Sequence, residues 1–146
     1  MNIYFACSIT GGREFEGVYQ ELTAALASDG HEVPTAHLAE SSVMSLEAVV
    51  EPRQVYERDV AWIQAARALV AEVSVPSHGV GYEIAFALHS GKPVLCLFQE
   101  GRRLSKMISG NPHPRLRVRA YRDGSEAVRF MRAFLAELGE RAGTYL

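Results

Sequence analysis

The 146-residue chain is poor in cysteine: it has two, Cys7 and Cys96, and they form no CxxC pair, so neither a disulfide framework nor a thiolate metal cluster organises it. Two lone thiols in predicted strands suit a reducing compartment, and the cytoplasm is the expected location. Charge of one sign is missing as well. Fifteen Lys and Arg against 17 Asp and Glu give a formal net charge of -2, which offers no electrostatic attraction to a nucleic-acid polymer or a membrane surface. No apolar run approaches the roughly 20 residues that span a bilayer. The opening stretch, Met1 to Cys7, has neither a basic leader nor a long apolar core, so no signal peptide is expected. The nucleotide loops GxGxxG after the first strand and GxxxxGK[ST] are both absent. Gly79-Val80-Gly81 covers only part of the former and follows the third predicted strand, so hydride transfer is not the expected chemistry. His31, His37, His78, His89 and His113 are scattered without the close spacing that a metal requires, and neither metal nor cofactor is expected.

What is present reads as one ordinary globular domain over residues 1–146, since 48% of the residues are hydrophobic and 22% charged. Apolar runs at Asn2–Cys7, His31–Thr35, Ala68–Val73, Val94–Phe98 and Leu116–Tyr121 predict five strands. The first is placed centrally, and the fourth is apolar enough to be covered on both faces. The last alternates apolar with basic residues, as an edge strand does. Between them, Phe15, Val18, Tyr19, Leu22, Ala25 and Leu26 recur at helical spacing and stop at Asp29-Gly30. A second helix follows Pro52 and runs through Gln64, a third contains Val80, Ile84 and Leu88, and a last is capped by Ser125 and ends at Gly139. Residues 36–46 read as a loop. Strands alternating with helices predict a three-layer, doubly wound parallel α/β domain.

In such folds ligands bind beyond the carboxyl ends of the strands. That edge should gather the loop from Ser8 through Ile9, Thr10 and Gly11 to Arg13, the turn from Ser74 to Glu83, and the loop after Phe98. The stretch Pro76-Ser77-His78-Gly79-Val80-Gly81-Tyr82-Glu83 leads from a strand into a helix, and its first-turn amides favour an anion. Glu83 is placed in that first turn, where the dipole favours the ionised form. Asp59 falls on the inward side of the second helix and needs either an arginine partner or a chemical task. Cys7 reads as a packing residue, and His37 as a residue that could line the pocket. Two carboxylates point to glycosyl transfer, in which one carboxylate bonds the anomeric carbon and a carboxylic acid protonates the leaving base. Glu83 suits the first role, Asp59 the second, and the Tyr4 hydroxyl would orient Glu83.

Four stretches together, Tyr4 to Arg13, Asp59-Val60-Ala61-Trp62, Val70-Ala71-Glu72-Val73 and Pro76 to Glu83, resemble the 2'-deoxynucleoside 5'-monophosphate N-hydrolases of the nucleoside 2-deoxyribosyltransferase superfamily. The likeness continues through Cys96-Leu97-Phe98 and Leu104-Ser105-Lys106-Met107-Ile108. It implies a flavodoxin-like or Rossmann-like fold and a homodimer that hydrolyses a nucleoside monophosphate to free base and sugar 5-phosphate. It also implies Glu83 as nucleophile, Asp59 as acid and base, and Tyr4 as the residue that holds Glu83. Ser8, Ser77 and the Gly79 amide would bind phosphate, and Ser105, with Met107 beside it, would reach the partner subunit's site. Mammalian members carry arginine where this chain has Thr10, which leaves Arg13 or Arg102 to supply a cation. A deoxyribosyltransferase and a non-catalytic nucleotide-binding module are the alternatives.

Overall fold

A computed structural model describes residues 1–143. Its centre is a sheet of four parallel strands in the order β1-β2-β3-β4: β1 (Ile3–Ala6), β2 (Ala68–Glu72), β3 (Val94–Gln99) and β4 (Leu116–Tyr121). Parallel neighbours need crossover segments, and helices supply them. These are α1 (Glu16–Ser28), α2 (Val43–Ala48), α3 (Pro52–Ala65), α4 (His78–His89), the short α5 (Lys106–Ser109) and the terminal α6 (Gly124–Gly143).

Strand residues alternate between two apolar layers, as the period of two dictates. Ile3, Phe5, Val70, Leu95 and Leu97 pack with Tyr19, Leu22 and Leu26 of α1 and with Met131 and Leu135 of α6. Tyr4, Ala6, Leu69, Ala71, Val94 and Cys96 pack with Ile63 of α3 and with Val80, Ile84 and Leu88 of α4. Helices on both faces of a parallel sheet are the doubly wound, Rossmann-like arrangement expected; β4 is an edge strand, with Arg117, Arg119 and Ala120 exposed, but β1, expected at the centre, forms the other edge.

The fifth strand is where expectation and structure part. At residues 31–35 only one parallel bridge forms, between Asn2 and Glu32. The Ile3 amide donates to Glu32 O at 2.8 Å and the Glu32 amide to Met1 O at 2.9 Å. Pro34 then removes the next donor, and the chain turns into a 3-10 segment, Ala36–Ala39. The Phe5 amide, which a longer strand would have bonded through its main chain, donates instead to Thr35 Oγ1 at 2.9 Å. One bridge and one hydroxyl thus replace a strand on the outer flank of β1.

Residues 36–46 are not a loop either. The 3-10 turn and α2 occupy this region, and Leu38, Ala39 and Val43 are buried in the α1 layer. At the far end, Asp123 and not Ser125 caps α6: its Oδ1 accepts from the Glu126 amide at 2.9 Å, and Glu126 reaches back to the Arg122 amide at 3.1 Å. Gly139 does not end α6, which continues to Gly143, because nothing crowds an added Cβ there and no positive φ forces a stop. Among the described residues, no helix is long and apolar enough to cross a membrane.

Leu97, fully buried on β3, and Val49, 84% exposed after α2, mark the extremes of packing. Leu97→Ala should cost about 2–5 kcal/mol of unfolding free energy, and Val49→Ala less than about 0.5, in chemical denaturation.

Candidate active site

Three segments meet at the carboxyl edge of β1 and β2. The first follows β1. Ser8 is fully buried, and its Oγ accepts from the Gly11 amide at 3.1 Å, closing a tight turn. A Cβ on Gly11 would stand 2.5 Å from Ser8 Oγ, 2.7 Å from Val75 Cγ1 and 3.1 Å from Pro76 O, so only glycine lets this turn lie against the segment leading to α4. Ile9 is half-buried, and Thr10 is exposed beside Gly11. Arg13 is spent on the scaffold: its guanidinium donates to Leu38 O and Glu40 O at 3.0 Å each and pairs with Glu16 at 3.1 Å. Arg102 is likewise engaged, pairing with Glu14 and lying over the Phe15 ring. Neither arginine is held ready for a phosphate.

The second segment is the start of α4. Ser77, extended at φ -149 and ψ 124, caps the helix by accepting from the Val80 amide at 3.3 Å. The Gly79 amide belongs to the first turn, whose N–H groups lack intrahelical partners. A Cβ at Gly79 or Gly81 would crowd nothing, so the space over the helix start is open. The segment before it is braced from below. Glu72, the fully buried last residue of β2, accepts through Oε1 from the Ser74 amide at 3.2 Å, from the Ser74 hydroxyl and from the Tyr121 hydroxyl at 3.0 Å. Ser74 Oγ in turn accepts from the Gln99 amide at 2.8 Å. Burial raises the Glu72 pKa, and the Ser74 and Tyr121 hydrogen bonds pull it back.

The third segment brings the carboxylates together. Because α4 begins at His78, Glu83 lies in its second turn, beyond the reach of the helix start that the sequence suggested. Burial therefore decides its charge. The carboxyl is half-buried and pushed up to about 8 from 4.5, first by desolvation and then by the charge of Asp59; the Tyr4 hydroxyl and Arg58 act in the opposite direction. The sequence placed an ionised, exposed carboxylate here, and the structure places a desolvated one. Tyr4 is fully buried, with a hydroxyl that makes no hydrogen bond; burial and the nearby Glu83 charge hold its pKa far above the ordinary value. Asp59 has a side chain only 17% exposed, and Arg58 Nε donates to its Oδ1 at 2.8 Å. Desolvation still raises the Asp59 pKa against the Arg58 charge. The arginine partner and the second carboxylate are thus present together.

The segment at 36–48 closes over this cluster. His37 Nε2 lies 2.6 Å from Glu47 Oε1, Arg58 Nη2 donates to the same oxygen at 3.1 Å, and the Trp62 ring lies under the Arg58 guanidinium and edge-on to His37. Sequence reasoning missed Arg58 and Glu47, and quoted Trp62 and Glu72 only within motifs, without a role at the site. Arg58 and Trp62 were findable as an i, i+4 pair flanking Asp59, but Glu47 lies on a helix without a periodic signal. Cys7 is no nucleophile: burial pushes its thiol up to about 12, and Sγ faces Leu38 O at 3.7 Å.

Ser105 and Met107 lie on the other flank of α4. With Ser77, Val80, Gly81 and Ile84 they line a cavity of about 370 Å³ that Tyr4, Asp59 and Glu83 do not line. Ser105 caps α5 through the Met107 amide at 3.2 Å, and the Met107 side chain is 83% exposed.

Paired desolvated carboxyls, a buried phenol and an open helix start thus gather at the carboxyl edge of a parallel sheet as a candidate site. The chain belongs to the nucleoside 2-deoxyribosyltransferase family, whose sequence profile matches residues 3–130. It is 39% identical over 148 aligned residues to the 5-hydroxymethyl-dUMP N-hydrolase of Rattus norvegicus, covering 98% of this chain and 90% of that protein. The Homo sapiens protein of the same name is 40% identical over 140 residues, covering 92% and 80%. In fold it is similar to the CMP N-glycosidase of Clostridium botulinum, with a TM-score of 0.71 at 20% identity over 92% of this chain and 99% of that one. It is also similar to a 2-deoxyribosyltransferase of Bacillus psychrosaccharolyticus, with a TM-score of 0.62 at 19% identity over 88% and 90%.

The glycine contrast is testable. Gly11→Ala should destabilise the chain and displace the Ser8 turn, whereas Gly81→Ala, helical and unobstructed, should gain about 0.4–1 kcal/mol in denaturant unfolding. The Glu83 shift has a signature of its own. Folding tightens its hold on a proton, so stability falls as pH rises from 4.5 to about 8, and Glu83→Gln should flatten that part of the pH–stability curve.

Proposed function

We propose that this chain hydrolyses the N-glycosidic bond of nucleoside 5'-monophosphates, releasing free base and sugar 5-phosphate. The observation that carries the proposal is the coupled pair Glu83 and Asp59, both desolvated, with the Tyr4 hydroxyl buried against Glu83. The names of the rat and human relatives agree with it. The Asp59 charge opposes ionisation of Glu83, so the two groups favour one acid beside one anion.

In the productive form the proton resides on Asp59 and Glu83 is the anion. A Glu83 oxygen bonds to C1' of the sugar, the C1'–N bond breaks, and the base leaves with the proton from Asp59. Asp59 then takes a proton from water, the resulting hydroxide bonds to C1', and the ester to Glu83 breaks to regenerate the carboxylate. Positive charge developing at C1' is what makes ionising Glu83 favourable at that moment, and the Tyr4 O–H steadies the anion. The phosphate is held by the Ser8 and Ser77 hydroxyls and the Gly79 amide at the start of α4, with Ile9, Thr10 and Gly11 forming the wall of the turn. This is neutral-donor recognition, consistent with Thr10 and with the engagement of Arg13 in the scaffold. The 1–146 chain acts as one catalytic domain, in the cytoplasm. It works as a homodimer, in which the exposed Tyr56, Tyr82 and Met107 face a second copy and Ser105 approaches that copy's site.

Glu83→Gln should lower turnover on the order of a thousandfold or more, the scale of losing a nucleophile, while the fold persists; near-normal turnover would refute the assignment. Because the pair loses its last proton near pH 8, kcat/KM should decline above that value. A chromatographic screen of ribo- and deoxyribonucleoside monophosphates, with unphosphorylated nucleosides as controls, tests the reaction itself. Release of sugar phosphate without an added second base is expected, and a strict need for that base would replace hydrolysis by transfer.

A further inference from the structure

The amino ends of the strands, at the opposite edge of the sheet from Glu83, carry a second concave feature. Arg67, Pro93 and Pro114 precede β2, β3 and β4, and with the last turns of α6 they enclose a cavity of about 510 Å³. Among the described residues four arginines line it, Arg67, Arg115, Arg117 and Arg141, against one acidic residue, Glu137.

Ion pairing is common among the arginines of this protein. Arg13, Arg53, Arg58, Arg102, Arg122, Arg129 and Arg132 each lie within ion-pair distance of a carboxylate. Among the described residues the four in the cavity have no such partner. Arg67 donates to Leu138 O at 3.4 Å and Arg117 to Pro114 O at 2.9 Å, contacts that orient the side chains without cancelling their charge. The edge strand repeats the pattern beyond the cavity, where Arg119 lies 4.3 Å from the Phe130 ring centroid in an adjoining hollow that Arg117 and Phe134 also line.

Like charges collected in a chain of net charge -2 repel one another unless an anion joins them. The guanidinium fork matches phosphate oxygens in pairs. The floor between the arginines, from Pro93, Phe134 and Leu138, is apolar, and the volume lies within the range of small-molecule sites. We propose that this cavity is a second, non-catalytic binding site for a phosphorylated organic molecule, with the phosphate on the arginines and the carbon skeleton on Phe134 and Leu138. It stands independently of the chemistry assigned to Glu83, because it shares no residue with that site.

Calorimetric titration with inorganic phosphate, ribose 5-phosphate and adenosine 5'-monophosphate tests it on three proteins: wild type, Arg115→Ala/Arg141→Ala, and Ser8→Ala/Ser77→Ala. Arg115 and Arg141 are exposed, so their replacement leaves the core intact, and an Arg115→Gln/Arg141→Gln pair repeats the comparison should the alanine pair fold poorly. At least one organic phosphate should bind the serine variant as it binds wild type at this site. The arginine variant should lose that binding by about tenfold or more, with its nucleotide hydrolysis unchanged. Identical isotherms for wild type and the arginine variant would overturn the proposal. So would equal affinity for inorganic and organic phosphate, since the apolar floor would then contribute nothing.

Discussion

Desolvation of Glu83 is the constraint on which the site depends. A carboxyl placed against Tyr4 of β1 and beside Asp59 of α3 cannot be ionised cheaply, and every neighbour either accommodates that cost or adds to it. The Tyr4 hydroxyl and the Arg58 charge favour the Glu83 anion, and the Asp59 charge opposes it. The outcome is a Glu83 carboxyl held well above the ordinary carboxylate range. The same carboxyl on an open helix end would be a surface glutamate with no reason to be anything but charged.

The surrounding architecture holds this cluster in register. Segment 36–48 supplies Glu47 and His37 to hold Arg58, and Arg58 holds Asp59. On the Ser8 side, Gly11 lets the Ser8 turn rest on Val75 and Pro76, while Glu72, Ser74 and Tyr121 tie the root of that segment to β3 and β4. The hydroxyls of Ser8 and Ser77 are thereby set by two turns in mutual contact. Such precision comes from packing, since neither turn has a side chain long enough to reach across by itself.

Much of this was legible in the residues. The apolar runs predicted β1 to β4, because burial on both faces of a parallel sheet leaves a strong pattern, and the helical spacing predicted α1 and α3 nearly to their ends and α4 without its true start at His78. Tyr4, Asp59 and Glu83 were picked out by their chemistry and by resemblance, and they do converge. The residues 31–46 were misread in both directions. Residues 31–35 were read as a strand where Pro34 withholds a donor and Thr35 bonds Phe5 through its side chain, and weak periodicity suggested a loop where Leu38 and Val43 are buried. Ser105 was placed by resemblance alone, and within one chain it lies across α4 from Glu83.

Sequence by itself determined the layer order, the parallel sheet and the identity of the two carboxylates, because these follow from hydrophobic period and residue type, which are local. The charge state of those carboxylates was decided only by tertiary structure. Sequence assigned Glu83 to a first helical turn and to the ionised form; folding moved it to the second turn and surrounded it with β1 and α3. A pKa is set by what stands within a few ångströms in space, and Tyr4, 79 positions away in sequence, comes within that range only after the sheet has formed.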